Sequence, residues 1–272
     1  MQTKWLSAYL FSNKGLNKIL CEQIVPFLQG ADGHLQTSAP YFFIRYGEGG
    51  PHIRLRVKIR EEDENMMRKM LGRYTPVQYT PYIPETERYG GPSAIVLAEQ
   101  QFFLCSEHTL SLFSRPDWDN SKIFVQAIQM NMALLYALQS TPNETINICS
   151  QFIRSWLPRL YNGRSDIPGQ EKYFLLLMEK KFEQYAPLLL PLSVNFWTTL
   201  QQEQSILQTY ADRHIPLFGY YQRLINDTQK MRAIMCSLLH MQHNRLGIQN
   251  ADEAYITFFT MKCMEHIYEQ TN

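Results

Sequence analysis

Strict alternation of apolar and polar residues predicts a β-strand over residues 52–59. One set of alternate positions is apolar: Ile53, Leu55, Val57 and Ile59. The other set is polar: His52, Arg54, Arg56 and Lys58. Successive side chains of a strand point to opposite faces, so the segment should have one buried face and one polar face. The aromatic and β-branched segment 41–46 precedes it across a glycine-rich turn, which predicts a hairpin.

Other patterns extend this β-rich beginning and then give way to helices. Within the first 113 residues we predict strands at 5–10 and 78–83 and helices at 17–28, 61–74 and 94–113. Beyond Trp118 the apolar spacing predicts helices at 121–139, 170–185, 194–211 and 226–246. We expect Gly247 to end the last of these, and Asn250 with Glu253 forms a capping-box pattern for one further helix.

The order of these elements predicts an α+β fold. In it, an N-terminal β-rich portion with antiparallel strands packs against a larger C-terminal helical portion. The chain has 272 residues, which is enough to bury a large core. Because no stretch is typical of a linker, we predict a single domain over residues 1–272.

Charge and cysteine content narrow the functional classes. The chain has 26 Lys and Arg residues and 25 Asp and Glu residues, a formal net charge of +1, which argues against a general nucleic-acid binder. No window approaches about 18 uninterrupted apolar residues, so no membrane span is expected. The five cysteines are widely spaced without a CxxC pair, which argues against disulfides or a zinc site and predicts a cytoplasmic protein.

Two arginines on the polar face of the predicted strand form a candidate anion site. Arg54 and Arg56 are two residues apart, so their Cα atoms should lie about 7 Å from each other with the side chains on the same side. Each guanidinium group can bind a carboxylate or phosphate through two hydrogen bonds. His52 shares the face. The competing interpretation is an ordinary solvated sheet face.

Two further segments carry candidate chemistry. Arg88 and Tyr89 precede Gly90 and Gly91 just before a predicted helix, where glycines let the backbone approach a ligand and a helix N-terminus favours an anion. The alternative is a plain turn.

His240 and His243 lie three residues apart near the end of a predicted helix, followed by Arg245. The spacing is not the HExxH zinc arrangement, so we predict no metal site. A histidine there is either a core residue or a general acid or base.

Together, three ordered motifs resemble a known family. The segments FFIRYGEGGPHIRLRVK, YIPETERYGG and SLLHMQHNRLG resemble the C-terminal domain of class I lantibiotic dehydratases. They are also similar to the free-standing thiopeptide-type bacteriocin biosynthesis proteins built from that domain alone. The resemblance runs from about Trp5 to the last helix, although only helical character supports it between residues 117 and 224.

The resemblance implies a lyase reaction on a ribosomally made precursor peptide. In that family a partner domain glutamylates Ser or Thr of the peptide with glutamyl-tRNA, and this domain then eliminates glutamate to leave dehydroalanine or dehydrobutyrine. Because the ester is already an activated leaving group, neither a metal nor an organic cofactor is expected.

The family's elimination residues fall on Arg54, Arg56, Arg88 and His240 of this chain. The resemblance implies that Arg54 and Arg56 bind the glutamyl carboxylate and that Arg88 faces the leaving carboxylate or the enolate oxygen. His240 would transfer a proton, either from Cα or to the leaving group. The same motifs supply a second group of substrate-binding candidates: His52, Tyr89, His243 and Arg245. Among these, His243 is the main rival of His240.

The resemblance also implies partners and leaves alternatives. The substrate would be a glutamylated precursor peptide, modified by a separate glutamyl-tRNA-dependent protein, with no direct nucleic-acid contact by this chain. Full-length members are commonly dimeric, which allows a homodimer here. Some free-standing relatives instead form a pyridine ring by joining two dehydroalanines, and a non-catalytic scaffold could bind the precursor by β-augmentation.

Overall fold

The computed structural model describes residues 2–13, 15–30, 40–74, 76–161, 166–249 and 251–271. The chain divides into two compact units, Met1–Trp118 and Asp119–Asn272. A small antiparallel sheet in the first unit is followed by a helical bulk, which confirms the predicted α+β class. That residues 1–272 form a single domain stays a prediction.

The described residues of the first unit form four strands and four short or medium helices. The strands are Thr3–Phe11 (β1), Tyr41–Tyr46 (β2), His52–Arg60 (β3) and Val77–Tyr79 (β4). The helices are Leu16–Ile19 (α1), Val25–Gly30 (α2), Glu64–Gly72 (α3) and Ile95–Phe113 (α4). A π-helical turn spans Leu20–Ile24, and 3-10 turns span Glu61–Asp63 and Glu87–Tyr89. The strand order is β2-β3-β1-β4 with antiparallel pairing throughout, so the predicted hairpin of β2 and β3 is confirmed.

The apolar face of β3 lies in the core of this unit, as its alternation predicts. Its four apolar side chains are buried: Ile53, Leu55, Val57 and Ile59. They belong to one cluster with apolar residues of β1 and of the helical segment 16–30. The strand predicted at 78–83 is shorter than expected, because Pro81 and Pro84 have no N–H group to donate to a ladder.

The second unit is built from six helices within its described residues. They are Ile123–Leu138 (α5), Pro142–Trp156 (α6), Ile167–Gln201 (α7), Gln208–Leu224 (α8), Thr228–Leu246 (α9) and Ala251–Thr271 (α10), with 3-10 turns at Asn120–Lys122 and Leu157–Leu160. Gly247 ends α9 with a φ of 85°, as predicted. Asn250, the expected cap of the final helix, lies outside the described residues. In the described ranges, no helix combines the length and hydrophobicity needed to cross a bilayer.

The predicted helices at 170–185 and 194–211 are wrong in their boundaries. One helix, α7, continues through Pro187 and Pro191, and α8 begins only at Gln208. Prolines disfavour a helix interior, but α7 keeps a row of buried residues on both sides of them: Met178, Phe182, Leu189, Phe196, Trp197 and Leu200. Packing along that row outweighs the local preference for a break.

Candidate functional sites

The guanidinium group of Arg54 is held between aromatic rings on the polar face of β3. Its Cζ atom lies 3.4 Å from the ring centre of Tyr46 and 4.7 Å from that of Tyr9, which faces it from β1. Its Nε donates to Nε2 of His52 at 3.2 Å. Nδ1 of His52 donates in turn to the carbonyl of Gly50 at 2.8 Å. His52 therefore fixes the orientation of Arg54. This role explains why its imidazole is only 2% exposed.

Arg56 lies deeper on the same face and is only 6% exposed. Its Cζ atom is 5.4 Å from the ring centre of Tyr9 and 5.5 Å from that of Tyr82. Nη1 donates to the carbonyl of Leu55 at 3.3 Å, whereas the buried Nε has no acceptor among the described residues. Burial lowers the pKa of Arg56, with the nearby charge of Arg54 acting in the same direction. The face is thus not an ordinary solvated one.

The two arginines differ from their neighbours in lacking an acidic partner. Arg60, on the same strand, donates to Asp63 at 2.6 Å. In the part of the chain that the structure describes, no carboxylate pairs with Arg54 or Arg56. Two adjacent cations held by aromatic rings, with hydrogen-bond donors left over, form a site suited to an anion.

Sequence reasoning missed the tyrosine that joins the two arginines. A hydrogen bond with Thr80 and the charges of Arg54 and Arg56 hold the pKa of the Tyr9 hydroxyl below its usual value, against the effect of burial. The sequence carried only a partial signal for Tyr9. Alternation places it on the same face of β1 as Trp5 and Ser7, but it lies some 45 residues before the arginines in the chain.

A half-buried carboxyl, Glu99 of α4, lies next to this face and was also missed. Burial raises the pKa of Glu99, although hydrogen bonds with Tyr82 and Trp5 and the charge of Lys58 oppose the shift. Burial and the charge of Glu99 together raise the pKa of the Tyr82 hydroxyl. The described contacts of Glu99 are thus with Tyr82, Trp5 and Lys58 rather than with Arg54 or Arg56.

The structure places Arg88 in the same unit, in an exposed 3-10 turn. Its Nη1 donates to Oε2 of Glu85 at 3.0 Å, and its Cζ lies 5.7 Å from the ring centre of Tyr89. Tyr89 is buried against Phe102 of α4 and interacts electrostatically with Tyr82, the residue that packs on Arg56. Tyr89 thus links the turn to the arginine face, while the described contacts of Arg88 are local.

Two glycines shape the turn after Arg88. Gly90 and Gly91 both have a φ of 102°, a conformation that residues with a Cβ atom rarely adopt. No atom lies within 4 Å of where a Cβ atom on Gly91 would stand, but Gly91 itself is buried, so the approach of a ligand to this backbone stays a prediction.

In the second unit, His240 of α9 is bound to a buried carboxylate. Nδ1 of His240 lies 2.8 Å from Oε2 of Glu253, near the start of α10. The imidazole is 25% exposed and its ring centre lies 5.2 Å from that of Trp156. An imidazole that donates through Nδ1 keeps an acceptor at Nε2, which suits it to proton transfer.

His243, the rival candidate, is fully buried. Its Nε2 lies 3.1 Å from Oδ1 of Asn131, and burial lowers its pKa. Arg245 is fully buried as well, and its Nη1 donates to the carbonyl of Met241 within the same helix at 2.9 Å. Burial favours structural roles for both residues.

Glu253 is the residue of this cluster that sequence reasoning assigned differently. Its side chain is 3% exposed and faces His240 and His243, rather than acting only in a helix cap. Burial raises the pKa of Glu253, but the two histidines, foremost His240 through its hydrogen bond, outweigh this effect, so the pKa lies below its usual value. Despite this grouping, the described residues contain no set of three or more metal-binding side chains arranged to hold an ion.

The two clusters lie in different units. Arg54, Arg56 and Arg88 belong to the first unit and His240 to the second, so their convergence on one substrate stays a prediction.

Several solved structures resemble the fold, among them the following three. The tRNA-dependent lantibiotic dehydratase MibB from Microbispora sp. 107891 is 18% identical with a TM-score of 0.67, over 98% of this chain and 28% of MibB. TsrL is 14% identical with a TM-score of 0.68, over 98% of this chain and 96% of TsrL. TbtD, a pyridine synthase from thiomuracin biosynthesis, is 12% identical with a TM-score of 0.72, over 98% of this chain and 99% of TbtD. At these identities the likeness shows the fold alone.

The sequence comparison is more specific. A search of curated proteins finds no match. The family model for the C-terminal region of the lantibiotic biosynthesis dehydratase matches residues 5–264, which agrees with the predicted resemblance from about Trp5 to the last helix. The resemblance inferred from the motifs is therefore confirmed, and the chain belongs to the lantibiotic biosynthesis dehydratase C-terminal family.

Proposed function

We propose that this protein is a lyase that eliminates glutamate from glutamylated Ser or Thr residues of a ribosomal precursor peptide. The observation that carries the proposal is the arginine pair on β3. Arg56 is nearly buried, Arg54 is held between two rings, and neither has a carboxylate partner in the described part of the chain. Such a pair fits a substrate that brings its own carboxylates, as a glutamyl ester does.

Glutamate elimination uses the residue types found in the two clusters. Removal of the Cα proton and cleavage of the Cβ–O bond form the C=C bond, and glutamate leaves with the bonding electrons as a carboxylate. Arg54 and Arg56 hold the glutamyl group, and Arg88 stabilises charge on the leaving carboxylate or on the enolate oxygen. His240 transfers the proton through Nε2, since its Nδ1 is bonded to Glu253.

The proposal also concerns partners. In this proposal a separate glutamyl-tRNA-dependent protein makes the glutamyl ester, and this chain, which spans 28% of MibB and matches a C-terminal family region, acts after it. This chain itself would contact peptide rather than tRNA, which agrees with its net charge of +1. A homodimer is part of the same proposal.

The direct test is incubation of the purified protein with a synthetic peptide carrying a glutamylated serine. Mass spectrometry should show release of glutamate and a dehydroalanine in the peptide. Arg54→Ala should leave the glutamylated peptide intact, while Arg60→Ala, an arginine of the same strand with its own partner Asp63, should process it at the parent rate. Parent protein that binds the peptide but never releases glutamate would instead indicate a scaffold.

A second candidate function is formation of a pyridine ring from two dehydroalanines. It is favoured by the likeness to the pyridine synthase TbtD over nearly the full length of both chains. That reaction has no glutamyl carboxylate to bind, so it does not explain why Arg54 and Arg56 are kept without a carboxylate partner among the described residues. A peptide with two dehydroalanines distinguishes the candidates, since only a cycloaddition enzyme would consume it.

A further inference from the structure

A buried carboxylate lies between two imidazoles where α9 and α10 meet. Oε2 of Glu253 is 2.8 Å from Nδ1 of His240 and 3.5 Å from Nδ1 of His243. The carboxylate side chain is 3% exposed, so water does not compete for its oxygen. The ionisable groups that act on Glu253 are these two histidines. The other described partners of the histidines, Asn131 of α5 and Trp156 of α6, are not ionisable near neutral pH.

The protonation of His243 is fixed from its other side. Thr260 donates its hydroxyl hydrogen to the carbonyl of Ile256 at 2.9 Å, so it must accept from the amide nitrogen of Asn131 at 3.2 Å. The amide oxygen of Asn131 therefore faces His243, whose Nε2 must donate to it at 3.1 Å. A second donor, the amide nitrogen of Gln242, binds the same oxygen at 2.8 Å.

This arrangement gives the two histidines opposite tautomers. His243 is fully buried and donates through Nε2, so in its neutral form its Nδ1 offers only a lone pair to Glu253. The one strong hydrogen bond of the Glu253 carboxylate is then the bond that His240 donates through Nδ1. Neutral His240 keeps its lone pair on Nε2.

The ring of His240 is also held in position by packing. Its centre lies 5.2 Å from that of Trp156, a buried residue at the end of α6. The guanidinium of Arg159 stacks on the same tryptophan ring at 3.7 Å. With one edge bonded and one side packed, the imidazole presents Nε2 in a defined direction.

We propose that Glu253 is a positioning residue that holds His240 as the Nδ1-protonated tautomer, so that Nε2 is the atom that exchanges a proton with the substrate. This inference rests on the proposed lyase function. As base, Nε2 takes the Cα proton and the carboxylate stabilises the imidazolium that forms. When His240 acts as an acid, the same Nε2–H gives the proton to the departing glutamate. The bond to Glu253 therefore supports proton transfer in either direction.

The first test observes the tautomer without any substrate. In the parent protein labelled with ¹⁵N-histidine, the His240 signal is assigned by its absence in His240→Gln. We expect its ¹⁵N shifts above neutral pH to report a protonated Nδ1 and an unprotonated Nε2. A His240 ring that carries its proton on Nε2 in the folded parent overturns the inference, and this measurement needs no change at Glu253.

The second test combines the tautomer with kinetics in Glu253→Gln. The amide can donate to Nδ1 as well as accept from it, so the Nε2-protonated tautomer should appear. We expect kcat for glutamate release to fall about 100-fold, with little change in KM for the glutamylated peptide. Glu253→Asp, which keeps the carboxylate, should restore part of the rate. The matched control Glu265→Gln, on the same helix but paired with Lys262, should change neither measurement.

The outcomes separate this inference from the proposed function. An unchanged tautomer in Glu253→Gln overturns the positioning role, whatever the activity. A shifted tautomer with an unchanged kcat overturns the catalytic use of His240. Parent protein that never releases glutamate overturns the lyase proposal, while the nitrogen shifts still decide whether Glu253 sets the tautomer.

Discussion

Charge is balanced in opposite ways in two clusters of the molecule. The arginine face of the first unit contains Arg54 and Arg56, and the histidine cluster of the second contains His240, His243 and Glu253. Arg54 and Arg56 are held by aromatic rings, and Arg54 also by His52, without a carboxylate among the described residues. His240 has its carboxylate built in, since Glu253 lies 2.8 Å away. A cation without a counterion is suited to bind an anionic ligand, whereas an imidazole with a counterion is suited to move a proton. Under the proposed function, the first cluster binds the substrate anion and the second moves the proton.

The largest expected effect comes from neutralising the arginine face. Arg56→Met keeps much of the side-chain volume but removes the charge aimed at the substrate anion. We expect glutamate release to slow about 10²–10³-fold, the usual consequence of losing one such donor. Release is measured by mass spectrometry of the peptide over time.

The same variant should be more stable than the parent. Replacing a nearly buried, unpaired cation by an apolar side chain should raise the free energy of unfolding by about 1 kcal/mol. Urea denaturation gives the value, and Arg60→Met, which breaks the pair with Asp63, should not show the gain. A destabilised but active Arg56→Met would show that the arginine serves packing and not substrate.

The next effect divides the two histidines. His240→Gln should reduce glutamate release about 100-fold but cost little stability, because the ring is partly exposed and the glutamine amide can still donate to Glu253. His243→Gln should instead lower the free energy of unfolding by about 1–3 kcal/mol, since a fully buried hydrogen-bonded group is disturbed. The reverse pattern of kinetics and urea denaturation would assign proton transfer to His243.

The smallest expected effect is a loss of stability in acid. Burial lowers the pKa of folded His243, so below about pH 6.5 the unfolded chain takes up a proton that the folded chain refuses. Stability should therefore fall as the pH drops through that value. The pKa of Glu253 is also lower in the folded protein, and its contribution is lost further down, below about pH 4.3. Urea denaturation across this pH range gives the free energy of unfolding. In His243→Gln its fall at about pH 6.5 should be smaller than in the parent, and an equal fall would contradict this account.

The sequence predicted the strands better than the surroundings of the site. The alternation over 52–59 predicted β3 and its buried face because a period of two is a local property. It could not distinguish a solvated polar face from a covered one. That difference depends on Tyr9 and Tyr82, which reach the arginines only through strand pairing and a distant loop.

The histidine cluster shows a similar limit. His240 and His243 share one helix, and the spacing alone could not decide which ring reaches the surface, because that depends on how α5, α6 and α10 pack around α9. Glu253 carried a local signal for helix capping, and its contact with His240 depends on how the chain turns between the end of α9 at Gly247 and the start of α10.

The bond from His52 to the Gly50 carbonyl connects the hairpin turn to Arg54. A longer or shorter turn between β2 and β3 would tilt that imidazole and swing the guanidinium with it. Replacing the loop at residues 47–51 should therefore change substrate preference while both arginines are kept.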